Sequence, residues 1–243
     1  MRFRTVLFEL HSTLIDSQRA GPQHWAAIVR LLARRHGGEA DEWLAAYQTV
    51  RADWGSYWAD LDIGGDEGLA DFEEGNWRVI RALFRLTGRD YPPLDDLRWH
   101  VRELPALAAR EVSALRPDAE VCLRRLAAGG YALGVVTDAL SAVARGLLEG
   151  ASVAQWFGGP VVGIDDVGRG GRPVTAFQTA IVRAGASPQA CLVADSGPGV
   201  AGAKGAGAQV ALIARRPVSD AVREQADVAL PDLIALADWL EAK

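Results

Sequence analysis

From Pro117 onward, the sequence alternates short apolar segments with segments of helical periodicity, and this alternation constrains the fold more than any other feature. Strands that are separated by helices of this length pair in parallel, so the pattern predicts an α/β protein with a doubly wound sheet. The predicted strands cover 131–137, 160–164, 191–194, 209–213 and 227–230, and the predicted helices cover 118–128, 140–149, 174–185, 199–207 and 231–242.

One further strand stands apart, because a long block of helical pattern follows it. The apolar run at 2–9 predicts a buried strand, and the next helix is expected to begin at Pro22 and to end before Gly37. Further helices are predicted at 41–54, 72–87 and 94–113. We therefore expect a core formed by 1–16 and 114–243, and a helical cap formed by 17–113 that lies over the carboxyl edge of the sheet.

The N-terminal strand ends in a run of polar residues that includes Glu9, His11, Ser12 and Thr13. In open α/β sheets, ligands bind outside the carboxyl ends of the strands. A carboxylate and an imidazole at this edge are suited to general acid–base catalysis. Glu9 and His11 are therefore the candidate catalytic residues.

Composition excludes several classes of partner. The 243 residues carry a net charge of −5, which gives no basic surface for nucleic acid, and no apolar stretch is long enough to cross a bilayer. Cys122 and Cys191 lie in apolar contexts, which favours reduced thiols in the core. The N-terminus has no signal-peptide pattern, so we expect a cytoplasmic protein without nucleic-acid or membrane partners.

Four blocks of the sequence resemble the motifs of the haloacid dehalogenase (HAD) superfamily, in the subgroup with a helical cap after the first strand. They lie at 8–14, 116–138, 165–173 and 193–207, in the family's order, and the resemblance covers nearly the whole chain. It implies a Rossmann-like core, with Thr137 at the phosphate-binding position and Asp195 at a metal-binding acid. Thr13 also fits the pattern unchanged.

The two defining acids of the family's first motif are replaced. Glu9 stands at the position of the nucleophilic aspartate, and His11 stands at the position of the general acid/base aspartate. A glutamate carboxylate on the same backbone overshoots by about one C–C bond, roughly 1.5 Å, which costs on the order of 100-fold in rate through misplacement alone. We therefore expect no phosphoaspartate chemistry.

The metal site implied by the resemblance is also depleted. Ala194 and Gly199 stand where further acids are usual, and Arg172 stands where the family has lysine. Magnesium prefers several oxygen ligands with carboxylate charge. We expect no metal cofactor, with Glu9 and Asp195 as the remaining candidates for weak magnesium binding.

The residues that remain in the altered motifs still predict binding of an anion. The guanidinium of Arg172 suits phosphate or sulfate oxygens, and Ser12, Thr13, Thr137 and Asp195 complete the predicted substrate-binding set. The leading hypothesis is a tailoring enzyme of small-molecule, secondary metabolism. It would bind a substrate with an anionic group and catalyse elimination or intramolecular ring closure with loss of that group, a lyase-type or cyclising reaction. Two alternatives stay open: a non-catalytic scaffold or regulatory subunit, and a metal-dependent phosphatase that accommodates glutamate.

Tryptophan is concentrated in the predicted cap. Packing of a small helical lobe explains most of these residues, although aromatic side chains are also enriched in clefts and interfaces. A protein partner or an oligomer that uses this surface is therefore a further expectation. The six residues are Trp25, Trp43, Trp54, Trp58, Trp77 and Trp99.

Overall fold

The computed structural model describes residues 3–96 and 98–242, and its centre is a six-stranded parallel sheet in the order β3-β2-β1-β4-β5-β6. The predicted α/β fold with a doubly wound sheet is confirmed. The strands are β1 (Thr5–Glu9), β2 (Ala132–Val136), β3 (Val161–Val162), β4 (Cys191–Asp195), β5 (Gln209–Ile213) and β6 (Val228–Leu230).

The N-terminal strand β1 lies in the middle of the sheet, and every one of its residues is buried. It pairs with β2 on one side and with β4 on the other, with Glu9 opposite Val136. Because all strands are parallel, their carboxyl ends meet at one edge. This register therefore brings Glu9, Thr137 and Asp195 to the same edge, although they are far apart in the sequence.

Helices cover both faces of the sheet because alternate residues of β1 point to opposite sides. Val6 and Phe8 pack into one apolar cluster, and Leu7 packs into the other. The core helices are α5 (Pro117–Ala128), α6 (Ser141–Gly150), α7 (Ile164–Val167), α8 (Val174–Arg183), α9 (Val200–Gly205), α10 (Asp220–Gln225) and α11 (Leu233–Glu241).

The segment between β1 and α5 forms a helical cap with its own apolar cluster, which includes Trp43 and Phe84. Backbone hydrogen bonds tie the cap to the core, from Leu69 N–H to the Gly168 carbonyl and from Gly170 N–H to the Ile63 carbonyl, both 2.7 Å. The main cap helices are α1 (Ser17–His36), α2 (Ala40–Ala52), α3 (Gly68–Leu86) and α4 (Leu104–Ala109).

Two cap helices differ from the sequence-based prediction. Helix α1 begins at Ser17 rather than at Pro22, because the Asp16 side chain accepts a hydrogen bond from Gln18 N–H and caps the first turn. The helix predicted at 94–113 is broken into a 3-10 turn, a π-helical turn over Trp99–Glu103, and α4. Pro105 explains this break, since it has no N–H to continue the helical hydrogen bonds.

Two elements of the core also differ. The strand predicted at 160–164 shortens to two residues, because it lies at the sheet edge between Pro160 and Gly163. Helix α10 is absent from the prediction, since its six residues are too short to show a helical period. Within the described residues, no helix is long and apolar enough to cross a membrane.

Two histidines form a neutral pair inside the cap. The Nε2 atoms of His36 and His100 lie 3.0 Å apart, and His100 Nδ1 donates to the Asp96 carbonyl at 2.8 Å. His100 Nε2 is then the acceptor, so His36 Nε2–H is the donor. Burial lowers the pKa of both residues, that of His36 to about 4, and the second imidazole lowers the His36 pKa further.

This pair predicts an acid-dependent loss of stability. Between about pH 6.5 and pH 4, the unfolded chain takes up a proton at His36 that the folded chain does not, so the free energy of unfolding falls with falling pH. In His36→Gln, the amide still donates to His100 but does not titrate. We expect its urea-unfolding free energy to fall less steeply, by up to about 1.4 kcal/mol per pH unit. Curves that stay parallel down to pH 4 would contradict this role.

Candidate active site

The turn after β1 holds Glu9 in a buried position. Thr13 Oγ1 donates to Glu9 Oε2 at 2.9 Å, and both side chains are almost fully buried. Ser12 adopts a left-handed φ of 68°, which a residue with a Cβ rarely does. Its carbonyl accepts a hydrogen bond from Arg116 Nε at 3.0 Å, which helps to hold the turn. The turn therefore fixes the carboxylate of Glu9 inside the protein.

Arg172 lies between three acids, of which Glu9 and Asp195 are buried and Asp138 is partly exposed. Its Nη1 atom is 3.2 Å from Glu9 Oε1 and 3.2 Å from Asp138 Oδ2, and its Nε atom is 3.6 Å from Asp195 Oδ2. The guanidinium is 8% exposed, whereas the Asp138 side chain is 43% exposed. We call these four residues the Arg172 cluster. Within the cluster, the guanidinium of Arg172 is the one positive charge beside three carboxylates.

The backbone of Arg172 is also constrained. Its φ of 46° lies in the left-handed region, which costs free energy for any residue other than glycine. Its N–H donates to Asp138 Oδ1 at 3.0 Å, so Asp138 holds both the main chain and the side chain of the arginine. The interactions of the cluster therefore stabilise a conformation that the local sequence disfavours.

Gly199 provides the space for the guanidinium beside Asp195. A Cβ at this position would lie 2.2 Å from Asp195 Oδ2 and 3.0 Å from Arg172 Nε. Asp195 Oδ1 accepts hydrogen bonds from Gly197 N–H at 2.7 Å and from Gly199 N–H at 3.1 Å. An acidic side chain at 199 is incompatible with this arrangement, so the missing acid and the arginine are two parts of one change.

The cluster does not fit a magnesium ion. Both carboxylate oxygens of Glu9 and one of Asp195 already accept hydrogen bonds, and the other oxygen of Asp195 faces the guanidinium. Magnesium requires several oxygen ligands in octahedral positions and is repelled by a neighbouring cation. Among the residues that the structure describes, no group of three or more histidine, cysteine or acidic side chains is arranged to hold a metal.

Burial raises the pKa of Glu9 to about 7, the largest effect on this group. The Arg172 guanidinium opposes the shift, and the negative charge of Asp195 adds to it. Burial thus opposes the ionised form of Glu9, which makes the carboxyl group a weaker nucleophile at neutral pH.

His11 lies two residues beyond Glu9 but in different surroundings. Its Nδ1 atom is 3.4 Å from Thr137 Oγ1, which also accepts a hydrogen bond from Ala139 N–H at 3.3 Å. Burial, together with the nearby Arg172 charge, lowers the pKa of His11 to about 4. The imidazole is consequently neutral at physiological pH and is available as a proton acceptor.

A cavity of about 430 Å³ lies between the cap and the core, and its wall is mostly apolar. The core contributes His11, Asp138 and residues of α6, and the cap contributes His24, Trp25, Trp54 and other side chains. Glu9, Thr13, Thr137, Arg172 and Asp195 do not line it. The cavity therefore reaches His11, whereas the predicted nucleophile position lies behind it.

The haloacid dehalogenase-like hydrolase family matches residues 3–207, which is most of the chain. The protein belongs to this family. Members are generally enzymes, and the sheet order and cap described above agree with its fold.

Solved structures of HAD proteins show the same fold over almost the full length. A 2-haloacid dehalogenase from Pseudomonas syringae superposes with a TM-score of 0.63 at 21% identity, covering 99% of each chain. A HAD phosphatase from Thermococcus onnurineus gives 0.61 at 21% identity over 98% of each chain. CbbY from Rhodobacter sphaeroides, solved with phosphate, gives 0.60 at 16% identity over 96% of each chain. No curated protein sequence matches the chain.

Against the HAD pattern, the structure separates the predicted site residues into two groups. Glu9, Thr13, Arg172 and Asp195 lie together in the buried region, and His11 contacts Thr137 at the cavity. Ser12 belongs to neither group: its hydroxyl lies 3.4 Å from Ser17 Oγ at the surface.

Asp138 was missing from the sequence-based set, although it directly follows Thr137 at the end of β2. Its position at a strand end was the available signal. The structure adds it both to the Arg172 cluster and to the cavity wall. Asp138 is therefore a third acid at this site, in addition to Glu9 and Asp195.

The cap tryptophans point inward. Trp43 and Trp77 are buried, Trp25, Trp54 and Trp58 line the cavity, and Trp99 lies under the guanidinium of Arg35 at 4.1 Å. None of the six is classed as exposed. Packing and cavity formation therefore account for these residues. A partner or oligomer that uses this surface stays a prediction.

The Arg172 cluster predicts strong coupling between two substitutions. Arg172→Gln leaves three buried or half-buried acids without their cation, and we expect a loss of about 3–5 kcal/mol in unfolding free energy at pH 8. Adding Glu9→Gln removes one of those acids and is expected to restore at least about 1 kcal/mol. Urea unfolding of both single variants and the double variant measures the coupling. Additive effects would show that Glu9 and Arg172 do not act together.

Proposed function

We propose that this HAD-family protein is an enzyme that uses His11 as a general base on a small molecule held between cap and core. The reaction is an elimination or an intramolecular ring closure, as in the tailoring steps of secondary metabolism. The observation that carries the proposal is that the cavity reaches His11, while Glu9 is sealed in an ion pair with Arg172.

The surroundings of His11 support a role as proton acceptor. In the tautomer in which Nδ1–H donates to Thr137 Oγ1, the lone pair of Nε2 is free to accept a proton. The low pKa keeps the imidazole neutral, so the base form is present throughout the physiological range. In an elimination, Nε2 takes the proton of a C–H bond, the electron pair of that bond forms the new π bond, and the leaving group on the adjacent carbon departs with the pair of the bond that breaks. In a ring closure, Nε2 takes the proton of an O–H or N–H group, the O or N atom forms a bond to a carbon of the same molecule, and the leaving group on that carbon departs with the electron pair of its bond.

The Arg172 cluster argues against two other mechanisms. A covalent intermediate on Glu9 requires substrate to pass Arg172 and Thr13, whose side chains already contact both carboxylate oxygens. An anionic handle on Arg172 requires displacing carboxylates that already neutralise the guanidinium. The predicted phosphate or sulfate group is therefore not part of this proposal.

A generic probe tests the base directly. 5-Nitrobenzisoxazole is a small, flat, apolar molecule that opens when a base removes its C3 proton and the N–O bond breaks. We expect wild-type protein to accelerate this opening, and His11→Ala to lose about 10-fold or more of that acceleration. His24→Gln is the control, because His24 lines the same cavity but its Nε2–H is held by the Pro105 carbonyl at 2.8 Å. Equal rates for wild type and His11→Ala would refute the proposal.

The pH profile of the same reaction identifies the base. With His11 as base, the rate reaches its plateau above about pH 5, since the pKa of His11 is about 4. With Glu9 as base, the rate would rise through pH 7 instead, because the pKa of Glu9 is about 7. A parallel assay with p-nitrophenyl phosphate and magnesium tests the phosphatase alternative. Turnover that Glu9→Gln abolishes would establish that alternative in place of ours.

A further inference from the structure

We propose that the cavity selects a small organic amine in its protonated form, with an aromatic or aliphatic body against the tryptophans and the ammonium group at Asp138. This inference rests on the proposed function in taking the cavity as the substrate site, and it replaces the anionic substrate expected from the sequence. The evidence is the aromatic side chains in the wall of the cavity and the charges that line it.

Four aromatic side chains follow one another along the cap side of the cavity. The Trp25 and Trp54 rings meet edge to face with centroids 5.9 Å apart, Trp54 and Trp58 are 6.0 Å apart, and Trp58 and Phe72 are 6.2 Å apart. All four residues line the cavity. The electron-rich faces of such rings attract organic cations, most strongly where water is excluded.

The charges that line the cavity also favour a cation. Asp138 contributes the acid, and none of the described residues that line the cavity is an arginine or a lysine. The lining histidines His11, His24 and His100 have lowered pKa values and add no positive charge at neutral pH. Arg172 does not cancel the charge of Asp138, because it also serves Glu9 and Asp195. An anionic ligand would be repelled here.

A matched ligand series tests the selectivity. 3-Phenylpropylamine, 3-phenylpropan-1-ol and 3-phenylpropanoate share one body and differ only in the charge of the terminal group. Binding is followed at pH 7.5 by the quenching of tryptophan fluorescence and by calorimetry. We expect the amine to bind about 10-fold more tightly than the alcohol, and the carboxylate to bind most weakly.

Asp138→Asn should remove the preference for the amine and leave the affinity for the alcohol within about twofold. The asparagine keeps an oxygen that accepts the Arg172 N–H. Asp66→Asn is the matched control, because Asp66 is fully exposed and does not line this cavity. The proposal is overturned if the carboxylate binds as tightly as the amine, if Asp138→Asn keeps the amine preference, or if none of the three ligands binds to the wild type.

The series is independent of catalysis by His11, because these ligands contain no group that the proposed elimination acts on. His11→Ala is expected to keep the amine preference while it loses the acceleration of benzisoxazole opening. If the wild type prefers the amine but does not accelerate benzisoxazole opening, the proposed function alone is overturned. If the wild type accelerates benzisoxazole opening but does not prefer the amine, this inference alone is overturned.

Discussion

The arrangement at the edge of the sheet depends on the guanidinium of Arg172, which pairs with Glu9, Asp138 and Asp195 inside the protein. The acids lie at the carboxyl ends of β1, β2 and β4, which are neighbours in the sheet. The positive charge of Arg172 reduces the repulsion between them. Gly199 is the counterpart of this change, since a side chain there would collide with Asp195 and approach Arg172. The altered positions of the HAD motifs are therefore physically linked rather than independent losses. We propose that Arg172 acts as an internal cation for these carboxylates.

This constraint explains where chemistry remains available. Because the Arg172 cluster seals Glu9, the cavity between cap and core ends at His11 and Asp138. The aromatic side chains that pack the cap also form the wall of this cavity, so cap stability and ligand binding share the same residues. In the function that we propose, a substrate contacts the aromatic side chains, the carboxylate of Asp138 and the neutral imidazole of His11. These groups suit acid–base catalysis.

Much of the fold follows from the sequence, because strand and helix periods and the order of four motifs are local features. The same patterns place Glu9, Thr137 and Asp195 at one sheet edge. The sequence does not reveal that Arg172 turns toward three acids, since that depends on a left-handed backbone at 172 and on space at Gly199. The position of Asp138 after β2 is visible in the sequence, but its contact with Arg172 depends on the same conformation. The break in the helix predicted at 94–113 depends on Pro105, whose effect on an otherwise helical pattern was underestimated.

The most direct test of the central claim is a calorimetric titration of magnesium chloride into the wild-type protein at pH 7.5, with Asp195→Asn measured in parallel. If the guanidinium takes the place of the metal, wild type will show no saturable binding up to about 10 mM magnesium, and the two proteins will give the same heats. A one-to-one site with a Kd below about 1 mM that Asp195→Asn abolishes would contradict the account, because it would require the acids to be free for a metal.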